Sequence, residues 1–334
     1  VSFADEVNAA GETGELLAHI EQLRKENKAL QRKYDKARIK TKDMVAAIYA
    51  AAKESIESAG PLVPISPSAA GTKKQEMALL HLTDWQYGKV TPSFSMKICE
   101  NRIEQAVAKT EELTEIQRAD HPVNECHVLL GGDMVEGETV FPGQFWEIEA
   151  DLLRQVRGAA ALIARSVSRL CEVFPRVVVW EESGNHGRLG LKGQFSPDSN
   201  ADRMTYDLAR MMVVSKSLTW NEQTNWYNLC KIGNYTFVLA HGDEIGAFGS
   251  IANTAIKWGA KVLEPFEDIY LGHFHTPTTL TLANSHRVFV TGSPESDNEY
   301  AAKRLAATNT PTQRLHFVDP RKGRVTSEHT LWLD

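Results

Sequence analysis

The chain has 334 residues, 37 Lys+Arg, 43 Asp+Glu and a net charge of -6, so it can bury a substantial core and is not basic overall. Its 42% hydrophobic and 24% charged residues are ordinary for a globular protein and exclude a low-complexity or disordered polymer. No apolar run approaches about 18 residues, which excludes a membrane-spanning helix, and Val1-Ser2-Phe3-Ala4-Asp5 does not read as a secretory signal. Cys99, Cys126, Cys171 and Cys230 are widely spaced with no Cys-x-x-Cys pair. That argues against a zinc ribbon or a disulfide framework and fits a reducing, cytoplasmic setting.

Residues 14–58 contain no proline, and their apolar positions alternate at steps of four and three. Leu16, Leu23 and Leu30 fall at d, and Ile20, Asn27 and Tyr34 at a. This heptad seam predicts a parallel coiled coil, with Asn27 specifying a dimer. The competing reading is a single amphipathic helix packed on the body. From Glu21 to Lys42 nine Lys/Arg face three acids, so this window carries +6 and the rest of the chain -12. Such a run is most simply a solvated helix face; the sharper reading is a contact for a phosphate backbone. Apart from Tyr34 on the seam it has no interleaved aromatics for base stacking.

Residues 59–75 are rich in Pro, Gly and small residues and read as a linker to a domain over 76–334. Strands are expected at Met77–Leu82, Cys126–Leu130 and Arg176–Trp180, with helices at about Ser95–Arg118 and Glu147–Val173 between them. This is an α/β layout with parallel pairing. A helix follows at Ala201–Val214, then a hairpin of Trp226–Ile232 and Tyr235–Ala240 turned at Gly233-Asn234, and a helix near Ile251–Trp258. Asp268–Leu271 is a short buried strand. Strands at Thr279–Leu282, Arg287–Thr291, Gln313–Val318 and Val325–Trp332 are expected to form a second, mostly antiparallel sheet.

Polar clusters follow the strands: Asp84-x-Gln86, Gly132-Asp133, Gly184-Asn185-His186, His241-Gly242 and Gly272-His273-x-His275. Ligands of open α/β sheets bind beyond the carboxyl ends of the strands. In an extended chain His273 and His275 project to one side, with Phe274 turned into the core. Carboxylate, amide and imidazole donors together favour Mn, Fe or Zn over Ca or Mg. Each cluster alone is weak, because a lone Asp after a strand is usually a cap and a lone His usually a core residue.

In this order the five clusters resemble the calcineurin-like metallophosphoesterase superfamily, whose pattern is D-x-H, G-D, G-N-H, H-G and G-H-x-H. The resemblance covers about Met77 to His275. It implies a two-sheet α/β sandwich flanked by helices and two divalent metal ions, Mn being favoured. Asp133 would bridge the ions; Asp84, Gln86 and His275 would hold one, and Asn185, His241 and His273 the other. His186 would contact the phosphate and protonate the leaving oxygen. The chain departs at Gln86, where the family has His; a neutral amide oxygen is the weaker ligand, so this ion should be held less tightly. Arg188 could reach the phosphate or form a surface salt bridge. Glu136 could orient a ligand, although an exposed loop carboxylate is the simpler expectation.

Protein phosphatases of the superfamily carry an Arg soon after the bridging Asp and a Glu after Asn-His; here Met134-Val135-Glu136-Gly137 and Gly187 stand in those places. That points to diesters. Asn185-His186-Gly187-Arg188, Gly292-Ser293-Pro294-Glu295-Ser296 and Asn298-Glu299-Tyr300 look most like bacteriophage-encoded members, grouped with the double-strand-break-repair exonuclease branch. The implied protein is a Mn-dependent DNA nuclease of the (host) cytoplasm, dimerised by its N-terminal helix. The alternatives are hydrolysis of small or cyclic diesters, and a non-catalytic scaffold.

Overall fold

The computed structural model describes residues 3–64, 75–260, 265–296 and 310–334. It divides into two compact units, Val1–Lys53 and Glu54–Asp334. Helix α1 spans Phe3–Ala59, longer than its heptads predict. Its seam residues Ile20, Leu23, Leu30 and Tyr34 are exposed. Among the described residues no helix is long and apolar enough to cross a membrane.

The second unit contains two sheets. The first has the order β11-β10-β1-β2-β3-β4, with β1 Glu76–Leu82, β2 Val123–Leu130, β3 Arg176–Glu181, β4 Leu218–Asn221, β10 Thr312–Asp319 and β11 Arg324–Trp332. β1 to β4 pair in parallel. The helices α2 Met96–Arg118, α3 Leu152–Val173 and α4 Ala201–Met212 lie between successive strands of this run. The second sheet has the order β5-β6-β7-β9-β8: Asn228–Ile232, Tyr235–Ala240, Asp268–Leu271, Arg287–Val290 and Thr278–Thr281. It mixes two antiparallel with two parallel pairings.

Side-chain alternation explains why the sheets face each other. Tyr235, Phe237 and Leu239 of β6 join Leu79, Leu129, Tyr270, Phe289 and Val318 in one buried core between the sheets. The alternate residues Val238 and Ala240 turn outward onto Ile251 and Ala255 of α5, Ile251–Gly259. The architecture is the helix-flanked two-sheet sandwich that the sequence implies.

Three expectations are corrected. The last two strands belong to the first sheet: β10 pairs antiparallel with β1 and β11 with β10. All eight residues of β10 are buried, as its interior place requires. Helix α3 begins at Leu152, not Glu147. Asp151 caps it through Arg154 N–H at 2.9 Å, and Glu147 is diverted to accept from Val90 N–H at 2.8 Å. The third is β4, which has no counterpart in the expected strands; its four residues Leu218-Thr219-Trp220-Asn221 form a half-exposed edge rather than a buried apolar run.

Candidate metal centre

β1, β2 and β3 of one sheet and β6 and β7 of the other end just before the five polar clusters. Asp84, Gln86, Asp133, His273 and His275 all have positive φ, between 42° and 65°. Ser285 is the one other non-glycine so placed among the described residues. Left-handed backbone is unfavourable for such residues and persists where surrounding contacts impose it. This overturns the extended geometry expected at His273 and His275: the chain curls there because the Asp84 carboxylate accepts His273 N–H at 2.9 and 3.0 Å. Phe274 is only partly buried, against the outward-facing core. Two glycines let the carboxylates approach the backbone. A Cβ on Gly184 would lie 2.0 Å from Asp133 Oδ1, and one on Gly272 would lie 2.4 Å from Asp84 Oδ2.

Ligand atoms of Asp133, His241 and His273 lie within 4.8 Å of one another. His241 Nδ1 donates to Gly131 O at 2.8 Å. Its Nε2 is thereby left to face Asp133 Oδ2 at 3.0 Å and Asn185 Oδ1 at 3.3 Å. On the other side His275 Nε2 is 3.4 Å from Asp84 Oδ1 and 3.3 Å from Gln86 Nε2. The same Gln86 amide is 3.3 Å from His186 Nε2. His186 N–H donates to Asp133 Oδ1 at 2.7 Å, and its Nε2 stands 4.0 Å from Asp133 Oδ2. The fold therefore gathers eight of the nine residues to which the resemblance gave a ligand, acid or phosphate-contacting part. The ninth, Arg188, is turned to an ion pair with Asp243, which Lys192 also approaches at 3.4 Å.

Three carboxylates absent from the motif hold this arrangement. Glu136, expected to be exposed, is buried, and its Oε2 lies 3.0 Å from His186 Nδ1. Glu295 Oε2 lies 3.3 Å from His275 Nδ1, and Lys89 Nζ pairs with its Oε1 at 3.0 Å. Asp202 accepts from the N–H groups of Asp133 and Gly184 at 2.8 Å and of Met134 at 3.0 Å, tying the ends of β2 and β3 together. Glu295 lies in the Gly292–Ser296 turn noted in the sequence; Asn298-Glu299-Tyr300 lies outside the described residues. Nothing local marks Asp202, since its partners are far away in the chain.

The electrostatics follow from crowding charge out of water. Burial opposes ionisation of Asp133, but His241 and His186 outweigh it and hold the carboxyl well below the usual range. Burial likewise disfavours charged His275, yet Asp84 and Glu295 push it up to about 10. His241 is raised well above its usual value against burial, chiefly by Asp133. Burial and the neighbouring His241 lower His273 to about 4. His186 is also raised: Glu136 and then Asp133 overcome its desolvation. Among the buried polar atoms of the described residues, Gln86 Oε1 has no hydrogen-bond partner, and Asp133 Oδ2 is met by His241 Nε2 at 3.0 Å. Buried oxygens of this kind are costly unless something cationic meets them. The donor set fits divalent transition-metal ions: imidazole nitrogens, carboxylates and amide oxygens are at hand.

No family model and no curated protein matches the sequence. Solved structures with a similar fold include a predicted phosphoesterase from Streptococcus pneumoniae TIGR4, 11% identical with a TM-score of 0.33, covering 78% of this chain and 99% of the other. Zn-bound Vps29 from Entamoeba histolytica is 12% identical with a TM-score of 0.33, covering 76% and 99%. Purple acid phosphatase PPD1 from yellow lupin (Lupinus luteus) is 13% identical with a TM-score of 0.33, covering 80% and 55%. At such distances the chemistry has to be argued from this chain's own side chains.

Proposed function

We propose that the chain is a binuclear metal-dependent phosphodiesterase acting on nucleic acid, with DNA as its leading substrate. The observation that carries this reading is the convergence of Asp84, Gln86, Asp133, Asn185, His241, His273 and His275, from five strand ends, with the Gln86 amide oxygen buried and unpartnered among them. Asp84, Gln86 and His275 would hold one cation, Asn185, His241 and His273 the other, with Asp133 shared. Divalent ions bound there, Mn first, would neutralise phosphoryl charge and acidify a water.

The protein's own part is orientation and proton transfer. Glu136 fixes the His186 ring through Nδ1 and favours its protonated form, while Nε2 faces the site. That suits donation of a proton to a leaving oxygen. Arg188 is engaged by Asp243, so a role on phosphate would require that pair to open. The four cysteines are free and buried, in keeping with the cytoplasmic setting read from the sequence.

The preference for nucleic acid leans on the bacteriophage-like segments and on α1, where Arg24, Lys25, Lys28, Arg32, Lys33 and Lys36 are exposed. Its exposed heptad seam supports pairing with a second copy. A second reading, hydrolysis of small or cyclic diesters, is favoured by the -12 carried outside the basic window, which suits a small anion better than a long one. Mn-loaded protein assayed on DNA, RNA and cyclic nucleotides separates the two. Cleavage of DNA that vanishes in Asp133→Ala supports the nuclease; turnover of cyclic nucleotides alone rejects it. Light scattering after removal of residues 1–53 should report a monomer.

A further inference from the structure

The basic window of α1 offers one aromatic residue, Tyr34 on the heptad seam, but the loop after β2 offers three. Trp146 is 80% exposed, Phe145 54% and Phe141 45%. The Phe141 ring lies 5.0 Å from the His186 ring, and Phe145 and Trp146 are 4.7 Å apart. Water-facing rings so close together mark a binding surface more often than chance exposure.

The loop is held firmly. The buried Gln144 accepts from Val140 N–H at 2.9 Å and donates to Glu136 O at 2.6 Å and to Glu136 Oε1 at 3.2 Å. Gly143, at φ 86°, makes the turn that brings Trp146 N–H to its carbonyl at 2.9 Å. The aromatic loop and the His186 imidazole thus hang on one glutamate.

Charge narrows the ligand. Residues 138–151 include Glu138, Glu147, Glu149 and Asp151 and no Lys or Arg. A phosphate or an anionic membrane would be repelled here; an uncharged planar ring would not. We infer that Phe141, Phe145 and Trp146 form a stacking platform for an unpaired nucleobase beside the site. The inference rests on the nucleic-acid reading above and refines it. If His186 protonates the leaving oxygen, the base on the leaving side is the one that meets Phe141. Bases inside a duplex have both faces covered, so the strand is single or frayed where it is cut.

The test compares two labelled strands of equal length with phosphorothioate linkages, one of oligothymidylate and one abasic, binding to the Mn-loaded full-length protein by fluorescence anisotropy. Stacking is worth about 1–3 kcal/mol per base, so the base-bearing strand should bind roughly tenfold tighter or more. Trp146→Ala and Phe141→Leu should each remove most of that preference, while Trp146→Phe and Phe141→Tyr should keep it. Equal affinity of the wild type for both strands, or a preference that survives Trp146→Ala and Phe141→Leu, overturns the platform. So does Trp146→Ala dissociating a dimer in light scattering with the preference intact, which would make the rings an interface between copies. A base-dependent affinity without Mn-dependent cleavage of any strand would instead sink the nuclease reading and leave the platform standing.

Discussion

Two histidines of this site are built alike. His186 and His275 each turn Nδ1 to a buried glutamate, Glu136 at 3.0 Å and Glu295 at 3.3 Å, and each turns Nε2 to the Gln86 amide at 3.3 Å. Their surroundings differ. His275 Nε2 lies 3.4 Å from Asp84 Oδ1 and His186 Nε2 4.0 Å from Asp133 Oδ2, while Asp133 also accepts the His186 backbone N–H at 2.7 Å. Glu295 is steadied by the buried Lys89, and Glu136 by the neutral Gln144 amide. A histidine backed by a carboxylate can serve as ligand or as acid, and the proposed function gives His275 the first part and His186 the second.

Replacing each histidine breaks the likeness most directly. His186→Gln should lower kcat by about 10²–10⁴ while Mn affinity in calorimetry stays near wild type. His275→Gln should raise the Mn concentration needed, with activity recovered at saturation. The same pattern in both would mean the two do one job. One step outward, Glu136→Gln and Glu295→Gln should each cost about 10–100-fold, the first in kcat and the second in Mn affinity. Gln86→His should lower the half-maximal Mn concentration several-fold if position 86 donates to the ion; a fall in kcat alone would make Gln86 a spacer between the two rings.

Proton release gives the smallest signal. His275, held up to about 10, and His241, also raised, are both protonated at neutral pH without metal, while His273 near 4 is not. Imidazoles must lose their protons to ligate. Filling both positions at pH 7 should release about two protons, read from calorimetry in buffers of different ionisation enthalpy. Affinity should climb as pH rises toward 10 and fall as it drops. A buffer-independent heat would show that neither histidine gives up its proton.

The strands were legible in the sequence as apolar runs that end in polar clusters, and the two-sheet sandwich followed from the resemblance those clusters carry; Met77–Leu82 and Asp268–Leu271 are read almost to the residue. The destination of β10 was not, since a strand's pattern says that both faces are buried but not beside which neighbour. The ring of candidate donors could be named from motif order alone. Glu136 was in view only as one of two readings, and the parts of Glu295 and Asp202 could not be read, because their partners are set by tertiary contact: Asp202 reaches back to Asp133, and Glu295 to Lys89. The left-handed backbone at Asp84, Gln86, Asp133, His273 and His275 leaves no mark either, since these residue types are chosen for their side chains.

That backbone carries a consequence for anyone evolving or engineering the protein. At each of these five positions glycine would relax the chain, a gain of up to about 1–3 kcal/mol per residue, and would delete a donor. Relaxed backbone would thus be set against lost side-chain bonds, such as the Asp84 carboxylate on His273 N–H and Asp133 on His186 N–H, and which side wins is specific to each position.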